Sequence, residues 1–70
     1  MKLEMPIWRD PSGKKIACTE KIKVMQQNLD ELHQLAQDAF EDGILMGVLP
    51  EQLKSYLVNL MDNLVDPYHK

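Results

Sequence analysis

The sequence predicts a mainly α-helical protein. A short N-terminal β-hairpin is followed by a long helix and a shorter antiparallel helix, which form a helical hairpin completed as a dimeric helical bundle. Three observations predict this class. Residues 10–13 (Asp-Pro-Ser-Gly) have turn chemistry, apolar residues recur at heptad spacing over residues 22–46, and a second heptad series covers residues 53–64. We assign all 70 residues to one small domain.

The predicted hairpin lies in residues 1–18, which form an N-terminal arm. In the turn, aspartate can accept hydrogen bonds from its own backbone, proline presets φ at the second position, and glycine accepts positive φ. Short flanking strands are expected on either side. An isolated two-stranded hairpin is marginally stable in water. We therefore expect Ile7, Trp8 and Ile16 to rest on the helices.

The first helix is predicted over residues 19–46, with Thr19 as its N-cap and Glu20 placed favourably against the helix dipole. Its apolar positions alternate spacings of three and four residues, which is the pattern of a coiled-coil seam. The seam residues are Ile22, Met25, Leu29, Leu32, Ala36, Ala39, Gly43 and Met46. Small residues dominate its C-terminal part and would let a second helix approach closely.

The second helix is predicted over residues 50–65. Pro50 suits the first helical position, where its missing N–H costs nothing, and Asp66-Pro67 would end the helix because a residue before proline disfavours helical geometry. The remaining residues, 66–70, form a tail. The predicted seam of this helix consists of Leu53, Leu57, Leu60 and Leu64, bordered by Tyr56, Met61 and Val65.

The two helices differ in length, and the difference predicts a partner. The first would measure about 40 Å and the second about 24 Å, so the second helix covers only part of the first. Two apolar sets are then left for a partner to bind: Ile22, Met25 and Leu29 on the first helix, and Leu45, Val48 and Leu49 at the link between the helices. A second copy of the chain is the first expectation, and another protein is the next.

The link is unusual because it is strongly apolar and places Leu49 at the N-cap of the second helix. Serine, aspartate or asparagine there would satisfy free N–H groups, and an apolar residue gives up about 1 kcal/mol of that stabilisation. A domain of 70 residues has a marginal core. Association would supply the missing stability.

Composition indicates the compartment. Cys18 is the only cysteine, so no disulfide can form within one chain, and a single thiol is typical of a reducing environment. The sequence contains no apolar stretch long enough for a membrane span, and no signal peptide is recognisable. We expect a cytoplasmic protein that does not enter a membrane.

The sequence contains no clear catalytic or metal-binding motif. We therefore expect a protein that is not an enzyme, with no catalytic residues, metal or cofactor. Asp30 and His33 could share a helix face, but di-iron bundles need two Glu-x-x-His pairs and two more glutamates. Cys18 near the helix start, with Lys14, Lys15 and Lys21 close in sequence, could be a reactive thiol. A small catalyst or metal protein built on His33 or Cys18 stays open as a third hypothesis.

A DNA-binding protein is the second hypothesis. Residues 21–24 alternate polar and apolar side chains as a strand does, and Asn28 with Glu31 forms a possible capping box. The resulting order of strand, helix and helix resembles the ribbon–helix–helix proteins. That resemblance implies a dimer whose paired strands enter the major groove, with Lys21, Lys23 and Met25 as reading positions. Three features depart from the family: a long connection between the helices, the apolar Leu49, and an acidic net charge of −3.

Overall fold

The computed structural model describes residues 4–68 and is mainly helical. Helix α1 comprises Thr19–Leu45, and helix α2 comprises Pro50–Asp62. The chain divides into two compact units; the first ends at Leu32 and the second begins at His33, within α1. Residues 1–3 of the predicted arm and residues 69–70 of the predicted tail lie outside the described residues.

The predicted turn forms in the arm. The Gly13 N–H donates to the Asp10 carbonyl at 2.9 Å, and the Asp10 N–H donates to the Lys14 carbonyl at 2.8 Å. Gly13 has φ +89°. This is a three-residue loop in which a β-turn is followed by a left-handed residue. The Asp10 carboxylate reinforces it, because Oδ1 accepts the N–H groups of Ser12 and Lys14 at 3.0 and 2.9 Å and the Ser12 hydroxyl at 2.6 Å.

The residues on either side of this turn do not form the two strands that were predicted. Arg9 and Lys15 form an isolated antiparallel bridge, which the Ile16 N–H extends by donating to the Trp8 carbonyl at 2.8 Å. No strand is assigned anywhere in residues 4–68. The ladder is short for a physical reason: Pro6 has no N–H to donate, and on the other side the chain enters α1 within three residues of Ile16.

Helix α1 begins at Thr19, one residue earlier than an N-cap at Thr19 would require. The Ile22 N–H donates to the Cys18 carbonyl at 3.1 Å, so Cys18 is the boundary residue and Thr19 is the first helical residue rather than the N-cap. Residues 21–25 lie inside α1. The strand on which the ribbon–helix–helix resemblance depends is therefore not present.

A glycine in the left-handed region ends α1 at Leu45, one residue before the predicted end. Gly47 has φ +95°. Its N–H donates to the Ile44 carbonyl, and the Val48 N–H donates to the Gly43 carbonyl, both at 3.0 Å. These two bonds are the pair that defines a Schellman motif, which satisfies the last carbonyls of a helix.

Helix α2 begins as predicted and ends early. Leu49 is its N-cap, in an extended conformation and without a side-chain capping bond, and Pro50 is its first residue. The helix ends at Asp62 rather than at residue 65. Asn63 has φ −90° and ψ 7°, and its side-chain amide donates to the Asn59 carbonyl at 2.7 Å. The Asn59 carbonyl accepts both this side-chain amide and the Asn63 backbone N–H. Asparagine favours such local bonds at helix ends, and the helix stops before Asp66-Pro67.

The second unit contains a hairpin-like pair formed by the last part of α1 and α2. Gly43 is buried, and the Leu53 side chain lies directly against it. Further from the link, the Lys54 ammonium lies 5.6 Å from the centre of the Phe40 ring, within the range of a cation–π interaction. Residues 40 and 43 on α1 therefore meet residues 54 and 53 on α2, which is an antiparallel order.

The packed face of α2 differs from the predicted seam. Leu53 and Leu57 are half-buried as expected, but the third half-buried residue is Met61, whereas Leu60 and Leu64 are exposed. Leu64 also lies beyond the end of the helix. On α1, Ala36, Phe40 and Gly43 are the corresponding covered positions.

In the first unit, apolar side chains of the arm and of the first turns of α1 are partly buried. Trp8 and Ile16 are half-buried, and so are Ile22 and Met25. Ile7 stays exposed, against expectation. The Trp8 indole N–H is buried and has no hydrogen-bond partner within residues 4–68.

Candidate interaction surface

The apolar tip consists of Leu45, Val48 and Leu49, the three link residues predicted to bind a partner. Leu45 is 85% exposed, Leu49 is 65% exposed and Val48 is 37% exposed. All three belong to the second unit. The structure therefore leaves this predicted set accessible within the described chain.

Local backbone geometry holds the tip in place. The Schellman bonds fix the Val48 N–H to the Gly43 carbonyl, and the Leu49 carbonyl then accepts the N–H groups of Gln52 and Leu53, both at 3.1 Å. Both ends of the link are thus anchored by hydrogen bonds within the second unit. The Val48 and Leu49 side chains therefore project from backbone that is held by hydrogen bonds.

The three α1 residues predicted to bind a partner differ in burial. Ile22 and Met25 are half-buried, and Leu29 is exposed at 38%. Sequence reasoning missed Val24, which is 55% exposed. The sequence could have indicated this position, because Val24 lies four residues after Glu20 and four before Asn28, on a helix face adjacent to the predicted seam.

Beside Met25 lies a shallow groove that we name the α1 groove. Its volume is about 430 Å³, and it is lined by Glu20, Lys21, Val24, Met25 and Asn28. Val24 and Met25 supply its apolar surface, and the other three side chains supply a polar edge. Methionine is suited to such a surface because its unbranched, polarizable side chain adapts to different partners.

Charge differs between the regions that carry the groove and the tip. Residues 9–23 contain five basic and two acidic side chains, whereas residues 38–51 contain four acidic and no basic ones. Within the second region, Glu41 and Asp42 occupy the last two turns of α1, and Glu51 lies in the first turn of α2. The tip is therefore bracketed in sequence by carboxylates.

The candidate chemical residues do not form a site. Cys18 is an exposed free thiol, and Asp30 and His33 are both exposed on α1. No group of three or more metal-ligating side chains occurs in the part of the chain that the structure describes. Neither α1 nor α2 combines the length and hydrophobicity of a membrane span.

Comparisons of the chain with protein-family models, with curated proteins and with solved structures give no significant match.

Proposed function

We propose that this chain is a non-enzymatic protein-interaction module that acts as a homodimer in the cytoplasm. One observation carries the proposal: among residues 4–68 no apolar side chain is fully buried. Folded domains are stabilised chiefly by removing apolar surface from water, and a chain with no closed core lacks most of that stabilisation. A second copy would supply the missing burial.

The apolar tip supports the same proposal, because it is unfavourable to the stability of a single chain. Leu49 gives up the cap that a polar residue would provide, about 1 kcal/mol, and exposes most of its side chain to water. Burying a leucine side chain contributes about 1.5–3 kcal/mol. Burial of Leu49 in a partner would therefore more than offset the lost cap.

The test is a Leu49→Asp variant studied by sedimentation from low to high micromolar concentration. Aspartate is a good N-cap, so the variant should keep α2 folded while placing a charge in the interface. We expect the wild-type chain to dimerise and the variant to associate at least about tenfold more weakly, as loss of one buried leucine implies.

The matched control is Val58→Asp. Val58 is exposed to a similar degree, at 55%, but lies on α2 away from the tip. We expect it to leave the dissociation constant near the wild-type value. A wild-type chain that stays monomeric at every concentration would overturn the proposal, and so would equal effects of the two substitutions.

A further inference from the structure

We propose that two copies of this chain associate through an apolar stripe on α2, with the two α2 helices antiparallel, an inference that rests on the proposed homodimer. The α2 stripe consists of Leu49, Tyr56 and Leu60, all of them exposed. It shares Leu49 with the apolar tip and lies wholly within the second unit.

The spacing of the three residues places them along one side of α2. An α-helix has 3.6 residues per turn, about 100° per residue, so intervals of seven and four residues return to nearly the same side. Leu53, Leu57 and Met61 form the neighbouring row and are half-buried, and Leu53 contacts Gly43 of α1. The α2 stripe therefore lies beside the face that contacts α1 and is itself left uncovered.

No charged side chain interrupts the α2 stripe, although the chain has a net charge of −3. The charged residues of α2 are Glu51, Lys54 and Asp62. Together with Val58 they follow spacings of three and four residues, which puts them about 180° around the helix from the stripe. The stripe is bordered instead by the amides Gln52 and Asn59. Two acidic chains that meet through this surface bury no like charges, which would otherwise oppose their association.

The apolar area matches what a stable dimer needs. A standard interface buries about 800 Å² per partner, of which about 57%, or roughly 450 Å², is apolar. A covered tyrosine buries about 150–250 Å², so Tyr56, which is 68% exposed, still offers on the order of 100 Å². Leu49 and Leu60, with Leu45 and Leu64 next to the two ends of the stripe in sequence, are also exposed. The five side chains together offer on the order of 500 Å².

Two-fold symmetry and the helix dipole determine the orientation. In a two-fold dimer, residue i of one copy contacts residue j of the other, and the reverse also holds. An axis that crosses the stripe near its middle makes the helices antiparallel and brings Leu49 of each copy toward Leu60 of the other. The positive N-terminus of one α2 then lies beside the negative C-terminus of its partner. Parallel helices would instead place like ends together.

The experiment places one charge at each end of the α2 stripe. Leu49→Asp and Leu60→Lys are made singly and in one chain. An acidic residue near the N-terminus and a basic residue near the C-terminus are favourable to the helix dipole, so all three variants should keep α2 folded, which far-UV circular dichroism checks. Sedimentation measures the dissociation constant of each chain.

We expect each single variant to dimerise at least about tenfold more weakly than the wild type, as loss of one buried leucine implies. The double variant should dimerise at least about threefold more tightly than either single variant, because antiparallel helices pair the introduced opposite charges at both ends. The matched control, Leu49→Asp with Leu60→Glu, introduces like charges and should associate most weakly of all.

Val58→Lys is the control for position, because Val58 is exposed on the opposite side of α2. It should leave the dissociation constant within about threefold of the wild-type value. A wild-type dimer that Leu60→Lys does not weaken would overturn association through the stripe, even where Leu49→Asp has an effect. A double variant that associates more weakly than both single variants would overturn the antiparallel orientation. Either result leaves the homodimer standing, whereas a monomeric wild type would defeat the proposed function itself.

Discussion

Gly43 of α1 lies against the side chain of Leu53 of α2. A Cβ atom added at residue 43 would lie 2.5 Å from the Leu53 Cδ1 atom and 2.9 Å from its Cδ2 atom. Glycine in a helix is destabilising by about 1 kcal/mol relative to alanine. Glycine at this position accepts that cost, and the Leu53 side chain occupies the space that a larger residue would need.

We expect Gly43→Ala to change the free energy of unfolding in opposite directions with and without the Leu53 side chain. Gly43→Ala should destabilise the wild-type chain by about 1 kcal/mol, because overpacking costs about 1–3 kcal/mol and outweighs the gain in helix propensity. In a Leu53→Ala background the obstruction is gone, and the same substitution should stabilise by about 1 kcal/mol. Urea unfolding of the four chains at one fixed concentration measures the cycle.

Gly47→Ala is the matched control for that cycle. Gly47 has φ +95° and open space around its Cα, so alanine there should cost about 1–2 kcal/mol through backbone strain alone. The cost should be the same with and without Leu53. Equal effects of Gly43→Ala in both backgrounds would show that Leu53 does not constrain residue 43.

The Asp10 turn should respond to acid. The side-chain hydrogen bond from Ser12, followed by the backbone hydrogen bond from Lys14, holds the pKa of Asp10 below its ordinary value of 3.8. A carboxyl group whose folded pKa is lowered stabilises the folded state above its unfolded pKa, and that stability is lost as pH falls through the folded pKa. The turn should therefore persist to about pH 4 and weaken below it.

Amide chemical shifts of Ser12 and Lys14, followed from neutral pH to pH 2, measure that transition. Asp10→Asn supplies the control, because an amide oxygen keeps an acceptor but does not titrate in this range. The wild-type shifts should move below pH 4, and those of the variant should stay nearly constant. Identical acid profiles for the two chains would contradict a role for the carboxylate.

The early end of α2 should move when Asn63 is replaced. Asn63→Ala removes the side-chain bond to the Asn59 carbonyl and introduces a strong helix former. We expect α2 to extend from Asp62 toward residue 65, where the residue before Pro67 restores the boundary. Backbone chemical shifts of residues 63–65 report the change. Shifts that stay non-helical in the variant would show that Asn63 does not end α2.

Local sequence signals predicted most of the helical architecture. Pro50 marked the start of α2 and Leu49 was correctly expected at its N-cap, because these positions follow from the chemistry of a helix end. Residues 10–13 form the expected turn for the same reason. The strands beside it were not predictable in this way, since a ladder also needs N–H donors and length on both sides, and the arm supplies only one bridge.

The residues predicted to bind a partner agree less well with the burial that the structure shows. The tip followed from an excess of apolar residues at a link, and the structure leaves it exposed. Ile22 and Met25 were expected to be open for a partner but are half-buried. Val24, which lines the α1 groove, escaped notice because periodicity identifies a helix face but does not say which neighbour will cover it.

The sequence by itself determined where the helices lie, where the chain turns, and that its apolar residues exceed what two helices of unequal length can cover. These properties depend on propensities and hydrogen bonds within a few residues. Only the tertiary structure decided that Met61 rather than Leu60 completes the packed face of α2, and that the Leu53 side chain fills the space beside Gly43. Such choices depend on the distance between two helix surfaces, which local sequence does not encode.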